Sequence, residues 1–228
     1  MGTDDLFKKR RAAVQERRKE IRDPKPDSYL IVSEGAKTEP LYFDGIAKYI
    51  NEKYGKSIKT EKPIIDTQGE GKSTMSLVEA TSKIISRSPT IYNQVWVVFD
   101  KDDFHDFDEA IVYANELGYK VGWSNQSFEY WLYLHFNYSD AALHRSAYVE
   151  KLDTLFKSFG IEKGYQKNDP EIFNIVTTYG SLQFAVSNAE KVFNAYKPNE
   201  KPSEKCPCTT VQNLILELKP YIAELLSK

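Results

Sequence analysis

Asp100 and Asp102 are separated by one residue and follow the apolar run Gln94-Val-Trp-Val-Val-Phe99. Extended backbone alternates its side chains with a period of two, so the two carboxylates point the same way if strand geometry persists. Like charges on one side repel unless a cation sits between them. A hard divalent ion with oxygen ligands resolves that conflict, and Mg²⁺ keeps waters that a phosphate can replace. Glu34 ends a second apolar run, Tyr29-Leu-Ile-Val32, and precedes Gly35, which permits a tight turn or the close approach of a ligand. Lys37, Thr38 and Glu39 then open a helical pattern. Thr38 is a candidate cap for it, and the exposed N–H groups of a first helical turn favour an anion. Helix capping competes with metal binding as the reason for an acidic cluster after a strand. It is the better explanation for Asp103, Asp106 and Asp108, and the weaker one for Asp100 and Asp102.

Two further polar stretches follow apolar runs. Gly69-Glu70-Gly71-Lys72-Ser73-Thr74 suggests a P-loop, but that motif needs a glycine five positions before Gly71, where Asp66 stands. An ATPase is therefore rejected. A plain phosphate-binding loop remains, with Lys72 and the backbone N–H groups around Gly71 as donors. In Ser124-Asn-Gln-Ser-Phe-Glu129-Tyr-Trp131, Glu129 is either a further carboxylate of the metal shell or a helix-capping group with Ser127 or Asn125. Phe128, Trp131 and Leu134 read as core, not as base-stacking platforms. His105, His135 and His144 read as structural. Cys206 and Cys208 are the two cysteines, too few for a disulfide framework or a zinc site, and they fit a reducing cytoplasm.

The elements that must position these residues alternate between residues 28 and 123. Strands are expected at Tyr29–Val32, Lys62–Asp66, Gln94–Phe99 and Tyr119–Trp123, with helical periods over Thr38–Tyr54, Ser73–Ser88 and Asp108–Leu117. The fold class is α/β: a mostly parallel four-stranded sheet flanked by helices, because parallel neighbours need crossover connections. Sites in such sheets gather at the carboxyl ends of the strands. A helical C-terminal part follows, with Val211, Leu214, Ile215, Leu218, Ile222 and Leu225 as an apolar stripe on the last helix. Three segments result: a basic arm at 1–26, an α/β core at 27–136, and a helical extension at 137–228 packed on the core.

The net charge of −2 over 228 residues does not distinguish partners, but its distribution is uneven. Lys8, Lys9, Arg10, Arg11, Arg17, Arg18, Lys19 and Arg22 crowd the N-terminus. That arm is either a solvated helix or a segment lying on phosphates or on a partner subunit. No apolar stretch is long enough to cross a bilayer, and Leu6-Phe7 is followed at once by charge, unlike a signal peptide.

A glutamate after the first strand and an Asp-x-Asp after a later one resemble the Toprim fold of topoisomerases, primases and the overcoming-lysogenization-defect nucleases. More narrowly, Glu34-Gly-Ala-Lys37-Thr-Glu39-Pro-Leu-Tyr42-Phe43 resembles the opening motif of the RloB-like proteins. So do, in order, Val98-Phe-Asp100-Lys-Asp102-Asp103, Ser124–Trp131 and Cys208-Thr-Thr-Val211. The four blocks span residues 34 to 211. One departure is Gln126, where the family's third block carries proline.

The resemblance implies a Toprim-like metal centre holding Mg²⁺ or Mn²⁺. It implies a role in bacterial anti-phage or abortive-infection loci, beside an ATPase of the AAA or ABC type. Asp100 and Asp102 would bind the ion, with Glu34 as third ligand or general base, and Glu39 and Glu129 would help place a second. Lys37 and Lys72 are the expected counter-charges for the transition state. Arg10, Arg11, Arg17 and Arg18 would hold the nucleic-acid backbone, RNA or DNA. The expected activity is phosphodiester hydrolysis. The alternatives are a non-catalytic Toprim-derived module that docks on its ATPase, and nucleotidyl transfer, which the lack of an evident template-binding domain disfavours.

Overall fold

A computed structural model of the chain describes residues 28–54, 64–70, 73–101 and 105–227. The basic arm with Arg10, Arg11, Arg17 and Arg18, the Gly71-Lys72 dipeptide, and Asp102 and Asp103 lie outside the described residues.

Strand and helix alternate through β1 (Ser28–Ser33), α1 (Thr38–Tyr54), β2 (Ile64–Gly69), α2 (Thr74–Arg87), β3 (Gln94–Asp100), α3 (Phe107–Glu116) and β4 (Lys120–Asn125). Helices follow: α4 (Phe128–Leu134), α5 (Arg145–Ser158), α6 (Ile172–Tyr179) and α7 (Leu182–Phe193). The chain then forms β5 (Cys208–Thr209), α8 (Val211–Glu217) and α9 (Lys219–Ile222). The spatial order is β2-β1-β3-β4-β5, with the first four strands parallel. From β1 the chain moves outward to β2, then crosses back to β3 on the other side of β1. The carboxyl ends of β1 and β3 therefore flank the point where strand order reverses, which is where open α/β sheets bind ligands.

Both sheet faces are covered. Leu30, Val32, Val97 and Phe99 pack beneath α2 and α3, with Leu77, Val78, Ala110 and Ala114. Tyr29, Ile31, Trp96 and Val98 join the opposite cluster, with Tyr42, Phe43 and Ile46 of α1 and Phe128, Trp131 and Leu134 of α4. Two buried faces explain why β1 and β3 read as continuous apolar runs, not as alternation. Leu152, Phe156, Phe173, Val176, Ala185 and Leu214 belong to that second cluster too, so the C-terminal helices share one core with the sheet.

Two expectations are corrected. The sheet has five strands, because Cys208–Thr209 pairs antiparallel with Ser124 and Asn125 at the edge. Two residues carry no readable period, and only the pairing makes them a strand. The expected last helix is two, α8 and α9, joined at Leu218. Pro220 would remove an intrahelical donor from a continuous helix but is accommodated in the first turn of a new one. The apolar stripe survives the break: Val211, Leu214, Ile215, Leu218, Ile222 and Leu225 are all buried. Among the described residues no helix is long and apolar enough to cross a membrane.

Candidate functional site

The crevice begins with the backbone. Glu34 N–H donates to the Val98 carbonyl at 2.9 Å, which carries the β1–β3 ladder one residue past the end of β1. The Glu34 carboxylate then accepts from Asp100 N–H at 3.3 Å. The two acidic residues that end β1 and β3 are thus tied together. The Asp100 carboxylate accepts in turn from Phe128 N–H at 3.0 Å, at the start of α4. Glycines let the other elements close in. A Cβ on Gly35 would fall 1.9 Å from Glu39 Oε2, so the Glu39 carboxylate rests against this turn. A Cβ on Gly69 would fall 2.7 Å from the Gly35 carbonyl oxygen, and Glu70 N–H donates to the Ser33 carbonyl at 3.0 Å.

Charge accumulates where these elements meet. The Asp100 carboxyl is held well above the usual carboxylate range, first by burial, then by the charges of Glu39 and Glu129, with Glu34 adding to them. The bond from Phe128 N–H opposes these effects without cancelling them. Glu129 goes the other way. Burial, the largest single influence, pushes its carboxyl up, but the Lys167 charge and the hydrogen bonds to the carboxylate together hold it below the usual range. Lys167 Nζ lies 3.0 Å from Glu129 Oε1, and Tyr165 donates its hydroxyl to that same oxygen at 3.0 Å.

Glu34, Glu39, Asp100 and Glu129 therefore share one neighbourhood, and Lys37 is exposed on the turn leading into α1. Lys72, Gly71, Asp102 and the four arginines of the arm lie outside the described residues. Several capping expectations are corrected. Thr38 donates its hydroxyl to the Lys167 carbonyl at 2.9 Å, tying α1 to a distant loop. Asp106 accepts from Met75 N–H at 3.3 Å, and Asp108 from Ser203 N–H at 2.9 Å, so both join separate elements together. Ser127 makes no side-chain cap bond, and Asn125 donates to the Ser203 carbonyl at 3.1 Å.

A sequence model of the family described as RloB-like protein matches residues 29–218. The chain belongs to the RloB-like protein family. No curated protein and no solved structure matches it. The matched span of this RloB-like chain runs from the second residue of β1 to the junction of α8 and α9, and so includes every placed residue of the crevice.

The donor set is carboxylate oxygen throughout, which suits Mg²⁺ or Mn²⁺ and not a soft metal. Among the described residues, no three His, Cys, Asp or Glu side chains form a cluster able to hold an ion. Glu34 and Asp100 adjoin, and the partner expected to complete them, Asp102, lies two residues beyond Asp100. Sequence reading missed Tyr165 and Lys167. The one signal for them is the run Gly160-Ile-Glu-Lys-Gly-Tyr-Gln-Lys-Asn-Asp-Pro170, a polar loop interrupting helical periods. Nothing in it says which carboxylate it meets.

Proposed function

We propose that this RloB-like protein hydrolyses phosphodiester bonds of RNA or DNA with Mg²⁺ or Mn²⁺, in a Toprim-like site, as the effector of an anti-phage defence system. The observation that carries this reading is Asp100. It is a carboxylate at the switch point of the sheet whose charge is disfavoured by burial and by three neighbouring carboxylates. A bound divalent ion would relieve that repulsion, polarise a phosphodiester oxygen and stabilise charge on the leaving oxygen.

The chain's own residues would do the rest. Asp100, kept in place by Phe128 N–H, and Glu34, kept in place by Asp100 N–H, supply oxygen ligands on a rigid strand edge. Asp102 is the expected third ligand. Glu39 stands at the opening of α1, where it can help place a second ion or accept a proton from water. Lys37 and Lys72 are counter-charges for the phosphate, and the basic arm is a backbone contact for the nucleic acid. A larger ATPase encoded beside the gene would hold or license the effector, as the family resemblance implies.

The test is incubation of the purified chain with total RNA and with plasmid DNA, in Mn²⁺, Mg²⁺ or EDTA, beside Asp100→Asn. Cleavage that needs the metal and disappears in the variant is expected. Equal cleavage by the variant would end this reading. The alternative is a non-catalytic module that binds an ATPase, in which the acidic residues of the crevice serve docking. It predicts that isothermal titration with Mn²⁺ detects no binding.

A further inference from the structure

Loop 160–171 connects two helices of the second core cluster, yet it is secured to the crevice at the carboxyl ends of β1 and β3. Gly164 takes φ +63°, and a Cβ there would fall 1.8 Å from Asp153 Oδ1, so the turn requires glycine in both conformation and space. Asp153 accepts from Tyr165 N–H at 3.2 Å. Lys163 Nζ lies 2.7 Å from Oδ2 of Asp169, a residue 3% exposed. Thr38 takes the Lys167 carbonyl. Loops usually run free over a surface, and ties of this number mark a positioned segment.

These ties hold one side chain in an unusual setting. The Glu129 side chain is 5% exposed and that of Lys167 is 61% exposed, so a buried carboxylate anchors an ammonium that still faces solvent. An ammonium has three donors. One meets Glu129, and the charges of Glu39 and Asp100 also act on the ammonium, so it stands beside the crevice that holds them. Tyr165, on the same Glu129 oxygen, fixes the anchor from the buried side.

We propose that Lys167, held by Glu129 and Tyr165, is the phosphate-contacting cation of this site, and that Glu129 serves as its anchor and not as a metal ligand. The proposal rests on the phosphodiester-hydrolysis reading and deepens it. It adds to the counter-charge expected of Lys37 one from a loop far along the chain. A strand-edge carboxylate cluster repels the phosphate it must act on, and a fixed ammonium at its rim offsets that repulsion where substrate enters.

The test uses the full chain with Lys167→Gln, Lys167→Arg, the double variant Glu129→Gln/Lys167→Gln, and Lys48→Gln as a control of equal charge change at an exposed site. The double variant removes both charges together, so no unpaired carboxylate is left buried. Binding of fluorescein-labelled single-stranded RNA and DNA of one sequence is measured in EDTA by anisotropy across a salt series. Lys167→Gln and the double variant are expected to lower the slope of log affinity against log salt by about 0.7, one phosphate contact on a single strand. With Mn²⁺, kcat/KM is expected to fall on the order of 10²-fold, through a lower kcat and a higher KM, since the ammonium meets the phosphate in both the ground and the transition state. Lys167→Arg should recover the slope and most of the rate, and Lys48→Gln should change neither. Wild-type slope and kcat in a folded double variant would overturn the proposal and leave the hydrolysis reading standing. A wild-type chain that binds and cleaves neither nucleic acid would overturn both.

Discussion

The two ends of α4 bury polar groups in opposite ways. Past its last turn, His135 is 1% exposed. Its Nδ1 lies 3.1 Å from the Trp131 carbonyl, which can only accept, so Nδ1 carries the proton. Nε2 then accepts from the Tyr42 hydroxyl at 3.2 Å. Burial drives the ring's pKa down to about 4, and the neutral imidazole packs edge-on against Tyr42 and Trp131. Before the first turn, Phe128 N–H holds Asp100, and burial likewise disfavours charge there. Yet Asp100 is surrounded by further carboxylates, while His135 is surrounded by aromatic rings. One end is satisfied by neutrality, as folding alone requires. The other keeps like charges that folding does not need, and such a departure is where a functional site is to be sought.

Removing the Asp100 charge should have the largest effect. In Asp100→Asn the side-chain oxygen still accepts from Phe128 N–H, so the strand edge is retained. Metal-dependent cleavage is expected to fall on the order of 10³-fold or more, measured by single-turnover assay. The metal-free stability should move the other way. The Asp100 carboxyl binds its proton more tightly in the folded state than in the unfolded chain. Its stabilising contribution is therefore complete below the unfolded value and is lost as pH rises through the raised one. Asparagine does not titrate. In EDTA, the Tm of the variant should exceed that of the wild type by a margin that widens as pH rises above the usual carboxylate range. A margin that narrows would show that the crevice is no less settled than the His135 end.

How much of this contrast the sequence discloses depends on the distance over which each feature is encoded. β1 and β3 are legible because both faces are buried and the apolar runs are unbroken. Glu34 and Asp100 are legible because they end those runs, and the alternation of elements implies adjacent carboxyl ends. β5 is not, since it exists through pairing with Ser124 and Asn125. Capping was overestimated at Thr38, Asp106 and Asp108 because short-range rules cannot see the partners that took them: the Lys167 carbonyl, Met75 and Ser203. Lys167 escaped for the same reason, standing 129 positions from the Thr38 that holds its backbone. The state of Glu129, left open between metal shell and cap, was decided by neither its neighbours nor its period.

His135 allows the same contrast to be tested from its neutral end. Its pKa falls from 6.5 to about 4 on folding. A depressed value contributes stability above the unfolded pKa and loses it as pH falls through the folded one, the reverse of Asp100. The loss for wild type between about pH 7 and about pH 4 is on the order of 3 kcal/mol, one unit being about 1.4 kcal/mol. His135→Gln should remove most of that acid dependence at a constant cost of about 1 to 3 kcal/mol from imperfect bonds to Tyr42 and Trp131. Urea melts across the pH range would show it, and cleavage per folded molecule should be unchanged. If cleavage falls instead, the two ends of α4 are coupled and the division drawn between them is wrong.

The smallest expected effect separates the two glycines that close the crevice. At Gly35 the obstacle to a side chain is the end of Glu39, at 1.9 Å. At Gly69 it is the backbone carbonyl of Gly35, at 2.7 Å, which cannot turn aside. Neither glycine has a positive φ, so only space is at stake. Gly69→Ala should displace the ends of β1 and β2 and cost about 1 to 3 kcal/mol of stability. Gly35→Ala should instead push the Glu39 carboxylate off the turn, lowering Mn²⁺ affinity about tenfold in calorimetric titration. Its change in stability should stay within about 1 kcal/mol. Mn²⁺ affinity that survives Gly35→Ala intact would place Glu39 outside the ion's reach. The surplus charge around Asp100 would then act through Glu34 and the residues that follow β3.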